Sequence, residues 1–352
     1  MQNAIFHGNY GGQMFDKVTI DRFRGISHAD ISGFKRINLF FGKNNCGKSS
    51  LLEAIFLACG QSNPLLPLNI NNFRDYRKIQ KKDISLDFYK LDTEKDIQIS
   101  LYNEEIRNLT ISFFEQVSRD IKLEEDSKSV SSIPKDQYGH ILHFTYGGQN
   151  MVSKITFESS GPNIVQNIDS RYKEHLICKY LGPKFDFYTS IQGLDNIIKN
   201  KDESIILDAL KIIEPNIKDF RYSDGDILVD IGLEQRIPIN VLGDGIRKIV
   251  SLLTSVYECK DGVLLVDEIS NGFHYSVMGN LWKALEKACQ TNNVQLFATT
   301  HDLDSIKGIA QHLDNNSVAA FHLEKMDNDE LKAFFFSRDD LEYMLHQSIE
   351  MR

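Results

Sequence analysis

The chain has 352 residues, of which 25% are charged and 41% apolar, with a formal net charge of −9 at pH 7. This is the composition of a globular protein long enough for one large or two ordinary domains, and its acidic balance excludes a surface built throughout to clamp nucleic acid. No apolar run nears the roughly 20 residues that span a bilayer, MQNAIFHGNYGGQ lacks the features of a secretory leader, and five scattered cysteines (Cys46, Cys59, Cys178, Cys259, Cys289) with no C-x-x-C pair exclude a zinc or disulfide framework. A cytoplasmic protein is expected.

Val18, Ile20 and Phe23 begin a strand that turns at Arg24-Gly25. A second strand, 37–41, feeds Gly42-Lys43-Asn44-Asn45-Cys46-Gly47-Lys48-Ser49, a complete G-x-x-x-x-G-K-[ST] loop followed by Ser50 and the apolar stretch Leu51 to Cys59. Backbone N–H groups of such a loop and of the helix after it form a positive concavity for a triphosphate. Lys48 is expected to reach the β- and γ-phosphates and Ser49 to ligate Mg²⁺. Apolar residues crowd 51–57 almost all round, which predicts a buried helix.

Arg74, Arg77, Lys78, Lys81 and Lys82, interleaved with Phe73 and Tyr76, form the best basic patch. It reads as a solvated edge or as a contact for DNA or a partner protein. From about 84 to 170, short alternating runs (DIQISLY, RNLTISF, HILHFTY, SKITFES) predict an antiparallel β lobe, with a loop at 124–137. Helices are predicted within 194–219, strands at 226–231 and 237–239, and a helix over 243–258. A strand at 263–266, a helix at 276–289, a strand at 294–299, two strands at 317–323 and 332–336 and a terminal helix at 338–349 complete an alternating βα pattern.

Three further segments carry chemistry. Gly262-Val-Leu-Leu-Val-Asp267-Glu268 is an apolar strand ending in two acids, the form of a Walker B element. Asp267 is suited to hold Mg²⁺ opposite Ser49, and Glu268 to polarise the attacking water. His301 directly follows the strand 294–300, where a ring nitrogen can sense a γ-phosphate. Between these and the phosphate loop lies Leu242-Gly243-Asp244-Gly245, a glycine-rich turn opening a helix and so a second anion site.

On the segments FRGI (23–26), NLFFGKNNCGKSSLLEAIF (38–56), LGDGIRK (242–248), LLVDEISNGFH (264–274) and FATTHDLDSI (297–306), the chain resembles the ABC-type ATPases of the RecF/SMC/OLD superfamily. It looks most like the AAA-like ATPases of prokaryotic phage-defence and abortive-infection operons. The resemblance implies an α/β fold: one ABC-ATPase head with a mixed core sheet (14–60 and 226–352), an antiparallel β lobe (61–180), a short helical insert (185–225) and no long coiled coil. It implies ATP and Mg²⁺ as cofactors, Arg24 near the nucleotide, Asn271, Gly272 and His274 in a D-loop, and Gly243–Gly245 as a signature that binds the γ-phosphate held by a second subunit. LGDG replaces LSGG, Asp302 follows His301 where serine is common, and neither Gln149 nor Gln192 is a firm Q-loop residue.

These features lead to an ATPase that forms a homodimer or higher homo-oligomer around nucleotide and controls a separate effector, a nuclease or toxin. About fifty residues follow Asp302, too few for a nuclease domain of its own. A RecF-like DNA-repair ATPase and a scaffold that binds ATP without turnover are the alternatives. The N-K-x-D motif of a GTPase is absent, and nothing supports a transporter.

Overall fold

The computed structural model describes residues 15–72, 84–116, 136–158, 164–183, 193–223, 226–312 and 316–346. The basic patch at 74–82, Gln192 and nearly all of the 124–137 loop lie outside these residues. In chain order the strands are β1 (Lys17–Phe23), β2 (Ile26–Ser32), β3 (Ile37–Phe41), β4 (Ile97–Tyr102), β5 (Arg107–Gln116), β6 (Gln137–Tyr146), β7 (Gln149–Glu158), β8 (Ile164–Asn167) and β9 (Cys178–Leu181). They continue with β10 (Asp219–Ser223), β11 (Asp226–Asp230), β12 (Ile237–Pro238), β13 (Val263–Val266), β14 (Gln295–Thr300), β15 (Val318–Lys325) and β16 (Leu331–Phe336). The helices are α1 (Lys48–Cys59), α2 (Leu66–Asn72), α3 (Leu194–Lys199), α4 (Glu203–Ile213), α5 (Asp244–Glu258), α6 (Met278–Asn292), α7 (Leu303–His312) and α8 (Arg338–His346).

Among the described residues, thirteen strands form one mixed sheet in the order β8-β7-β6-β5-β4-β1-β2-β16-β15-β3-β14-β13-β9. From β15 to β9 all neighbours are parallel, and from β8 to β2 all are antiparallel. The antiparallel strands expected as a lobe are therefore the outer half of the same sheet, joined through β4 to β1. β9, within the segment expected in that lobe, instead pairs in parallel with β13 at the core edge.

The central strands β3, β13 and β14 are buried along their whole length and mostly apolar, with Asn38, Gln295, Thr299 and Thr300 as buried polar exceptions, because helices cover both faces. Ile37, Leu39 and Phe41 of β3 pack on the face covered by α4 to α7, while Phe40 packs on the face covered by α1. α1 is buried nearly all round, as its composition predicts. All five cysteines are free. No helix among the described residues is long and apolar enough to cross a membrane.

Candidate functional site

Adjacent parallel strands deliver the loops at their carboxyl ends to one edge of the sheet, where open α/β sheets bind ligands. β3, β14 and β13 are consecutive neighbours. Phe41, the last residue of β3, pairs with Thr300, the last of β14, and Val266, the last of β13, lies opposite Ala298. The phosphate loop, His301 and the pair Asp267-Glu268 therefore leave the sheet at the same carboxyl edge. Side-chain alternation then selects a face. Phe297 and Leu265 pack on the α1 side, so Thr299 and Asp267, two residues further on, turn toward the helix that starts with Lys48.

Gly42, Asn45 and Gly47 have φ of 146°, 62° and 112°, which folds the loop into a tight cup. At Gly42 no side chain fits, since a Cβ would come to 2.5 Å from the Leu323 carbonyl oxygen. Lys48 is buried and donates to the carbonyl oxygens of Gly42 (2.9 Å) and Lys43 (3.0 Å), so its charge sits at the base of the cup. Lys43, Asn44 and Asn45 are exposed at the rim. Ser49 stands half-buried in the first turn of α1, whose leading amides have no helical acceptor. Cys46 is buried beneath the loop, and burial raises its thiol pKa, so it fills space as a neutral group. A caged ammonium, unpartnered helix amides and closely approaching glycine backbone fit a polyphosphate.

Asp267 is buried and receives two hydroxyls: Thr299 Oγ1 donates to Oδ1 at 2.5 Å and Tyr180 donates to Oδ2 at 3.2 Å. The two hydroxyls fix the orientation of its oxygens, which are hard donors of the kind Mg²⁺ takes. Glu268 has a φ of 55°, an unusual left-handed backbone for a residue with a side chain. Its N–H donates to Thr299 Oγ1 at 2.8 Å, and its carboxylate pairs with His301 Nδ1 at 2.6 Å. Glu268 keeps 19% side-chain exposure and His301 53%, so this pair, unlike Asp267, reaches solvent.

Gly243 precedes α5 with a φ of 102° and an exposed position. The turn and the start of α5 pack toward the segment after Glu268. A Cβ at Gly245 would meet Phe273, and Lys248 Nζ donates to the Asn271 carbonyl at 3.2 Å. Asn271, Gly272 and His274 are exposed beside it. The side chain of Asp244 lies outside the described set.

Arg24, expected near the nucleotide, has a buried side chain. Its guanidinium is buried and committed to Glu53 of α1 (2.5 Å), Asn71 of α2 (2.9 Å) and Asp87 (3.3 Å). It ties the β1–β2 turn to the flank of the phosphate-loop helix. Gln149 opens β7 as an exposed residue, far along the sheet from β3. Sequence reasoning passed over Thr299, Thr300, Tyr180 and Lys248. The first two carried a signal, because consecutive hydroxyls at the end of an otherwise apolar buried strand need partners on both faces.

A family model described as "AAA domain" matches residues 17–223. A second, described as "AAA domain, putative AbiEii toxin, Type IV TA system", matches residues 163–306. An ATP/GTP phosphatase of Helicobacter pylori is 27% identical over 333 residues, 85% of this chain and 88% of that protein. The DNA replication and repair protein RecF of Shewanella oneidensis is 45% identical over 62 residues, 17% of each chain. Among solved structures, an SMC head bound to the C-terminal winged-helix domain of ScpA superposes with a TM-score of 0.50 at 12% identity, covering 92% of this chain and 97% of that one. The chain belongs to the AAA domain family, is an ATPase, and shares the fold of SMC heads.

Proposed function

We propose that this chain binds ATP at Gly42–Ser50, hydrolyses it with Glu268, and uses the nucleotide state to assemble with a second copy and control a separate effector. The observation that carries the reading is the convergence of three motifs on one sheet edge, with Glu268 held between Thr299 and His301. Lys48 and the loop amides hold the β- and γ-phosphates. Ser49 and Asp267 would hold Mg²⁺, which would supply charge neutralisation at the phosphates. Glu268 orients a water and takes up its proton as the water oxygen bonds to the γ-phosphorus and the bond to the β-phosphate oxygen breaks, releasing ADP and phosphate. His301 holds the Glu268 carboxylate in place. The Gly243–Gly245 turn, exposed at Gly243, serves the nucleotide of a second copy.

The AbiEii description of the second family match favours an effector of the toxin or nuclease class and a role in anti-phage defence. RecF similarity over 62 residues favours the alternative, a DNA-repair ATPase. Phosphate release and nucleotide binding test the reading together. Lys48→Ala is expected to abolish binding, whereas Glu268→Gln is expected to keep it, lower turnover by about a hundredfold or more and accumulate an ATP-bound oligomer. Unchanged turnover in Glu268→Gln defeats the assignment. Stimulation by DNA that fades steeply with salt transfers the reading to repair.

A further inference from the structure

We propose that Thr299 is the positioning residue of this site: one hydroxyl that sets both the metal-holding and the water-orienting acid. The proposal rests on the roles given above to Asp267 and Glu268. A threonine hydroxyl has one proton to give and lone pairs to receive. Here the proton goes to Asp267 Oδ1 at 2.5 Å and a lone pair receives the Glu268 N–H at 2.8 Å. The Thr299 carbonyl also receives the Ile269 N–H at 2.9 Å, so three successive residues are measured from one fully buried residue of β14.

The neighbouring residues extend the same arrangement. Thr300, on the opposite face of β14, lies 2.9 Å from Ser270 Oγ through its hydroxyl, which also receives the Asp302 N–H at 3.0 Å. His301 holds the Glu268 carboxylate. Thr299 and Thr300 at the end of β14, with His301 just beyond it, thus grip the turn 267–270 from both faces of the strand. That grip accounts for the left-handed Glu268, because such a backbone persists only where its surroundings over-determine it. It also has a chemical consequence. In-line attack tolerates little misplacement of the water-orienting carboxylate, and Glu268 inherits its place from Thr299 through its own amide. Replacing the hydroxyl by a methyl leaves the buried Asp267 oxygen and the Glu268 N–H each without this partner.

The test compares wild type with Thr299→Ser, which keeps the hydroxyl, and the near-isosteric Thr299→Val, which removes it. Thr299→Val is expected to lower kcat by about tenfold to a hundredfold, with KM for ATP changed by less than about threefold, while Thr299→Ser stays close to wild type. A readout independent of turnover is the tightening of a fluorescent ATP analogue by Mg²⁺. Thr299→Val is expected to weaken that tightening by about tenfold while metal-free binding is retained, and the Glu268 amide should exchange faster with solvent. If Thr299→Ser is as impaired as Thr299→Val, or if Thr299→Val leaves metal dependence and exchange unchanged, the proposal is overturned. Should Thr299→Val not fold, Thr299→Ala against Thr299→Ser makes the same comparison. Glu268→Gln run alongside separates the failures. Full turnover there defeats the role of Glu268, whereas stalled turnover there with an unaffected Thr299→Val defeats this proposal alone.

Discussion

Arg24 offers one positive charge to two buried carboxylates, Glu53 and Asp87. Burial pushes the Asp87 pKa up from 3.8 to about 7, and the Arg24 charge only partly offsets that. The folded protein therefore holds a proton there that the unfolded chain releases near 4. Stability from this group is complete below about 4 and is lost as pH rises toward 7. His140 works in the opposite sense, because burial lowers its pKa to about 4 and a neutral imidazole adds stability as pH rises through the same range. The comparison must accordingly be made against a variant. Asp87→Asn keeps an acceptor for Arg24 but cannot ionise, so its stability relative to wild type should improve between pH 5 and pH 8 by on the order of 1–3 kcal/mol. Urea unfolding midpoints at the two pH values measure this, and parallel profiles refute it. None of this cluster was legible in the sequence. Glu53 lies inside an apolar helix and Asp87 in an unpatterned stretch, and only the tertiary fold brings them to residue 24.

Elements were legible where burial leaves an unbroken signal. β3, β13 and β14 are mostly apolar and fully buried because both their faces are covered, and each ends at the residues that matter. α7 has a weak signal in the sequence, because LDSIKGIAQH carries a glycine in its interior. Asp302 supplies its start by accepting the N–H groups of Asp304 and Ser305, and Gly308 is there because a Cβ would press on Trp282 and the Met278 backbone. β2 was missed because its buried residues do not alternate strictly, and β9 because four residues are too few to show a period. The contact between α5 and the segment 271–274 was likewise invisible, since it depends on Lys248 crossing to the Asn271 carbonyl. Gly272 makes room for that crossing: its φ is 77°, and a Cβ there would come to 1.8 Å from Lys248 Nζ. Gly272→Ala is therefore expected to dislodge both partners and lower ATP turnover by about tenfold, leaving binding of nucleotide by the isolated subunit intact. Lys248→Met removes only one hydrogen bond and should cost about fivefold. Equal losses of nucleotide affinity and turnover in both variants would show that the contact serves general stability.

At the scale of the molecule, the proposed shared site uses two turns that leave different elements of one chain. The phosphate loop opens at the edge of β3, whereas the Gly243–Gly245 turn heads α5 and lies against Phe273 and Asn271 with Gly243 exposed. A closed two-fold assembly would bring each turn to the other subunit's loop. That arrangement has a consequence no single-subunit site shares. Lys48→Ala destroys a loop and spares a turn. Gly245→Glu places a carboxylate in the turn and spares the loop, and the new side chain starts in ordinary contact with Phe273, so the fold should survive. Each variant alone has two damaged sites per dimer and should be nearly inactive. In an equal mixture about half of the dimers pair one of each, and each such dimer contains one intact site, so about a quarter of wild-type ATPase activity should return. Mixing is decisive because neither protein gains anything from its own kind. Recovery near a quarter, with a mixed dimer detected by mass, fits two shared sites; no recovery despite a detected mixed dimer means each loop works with its own chain.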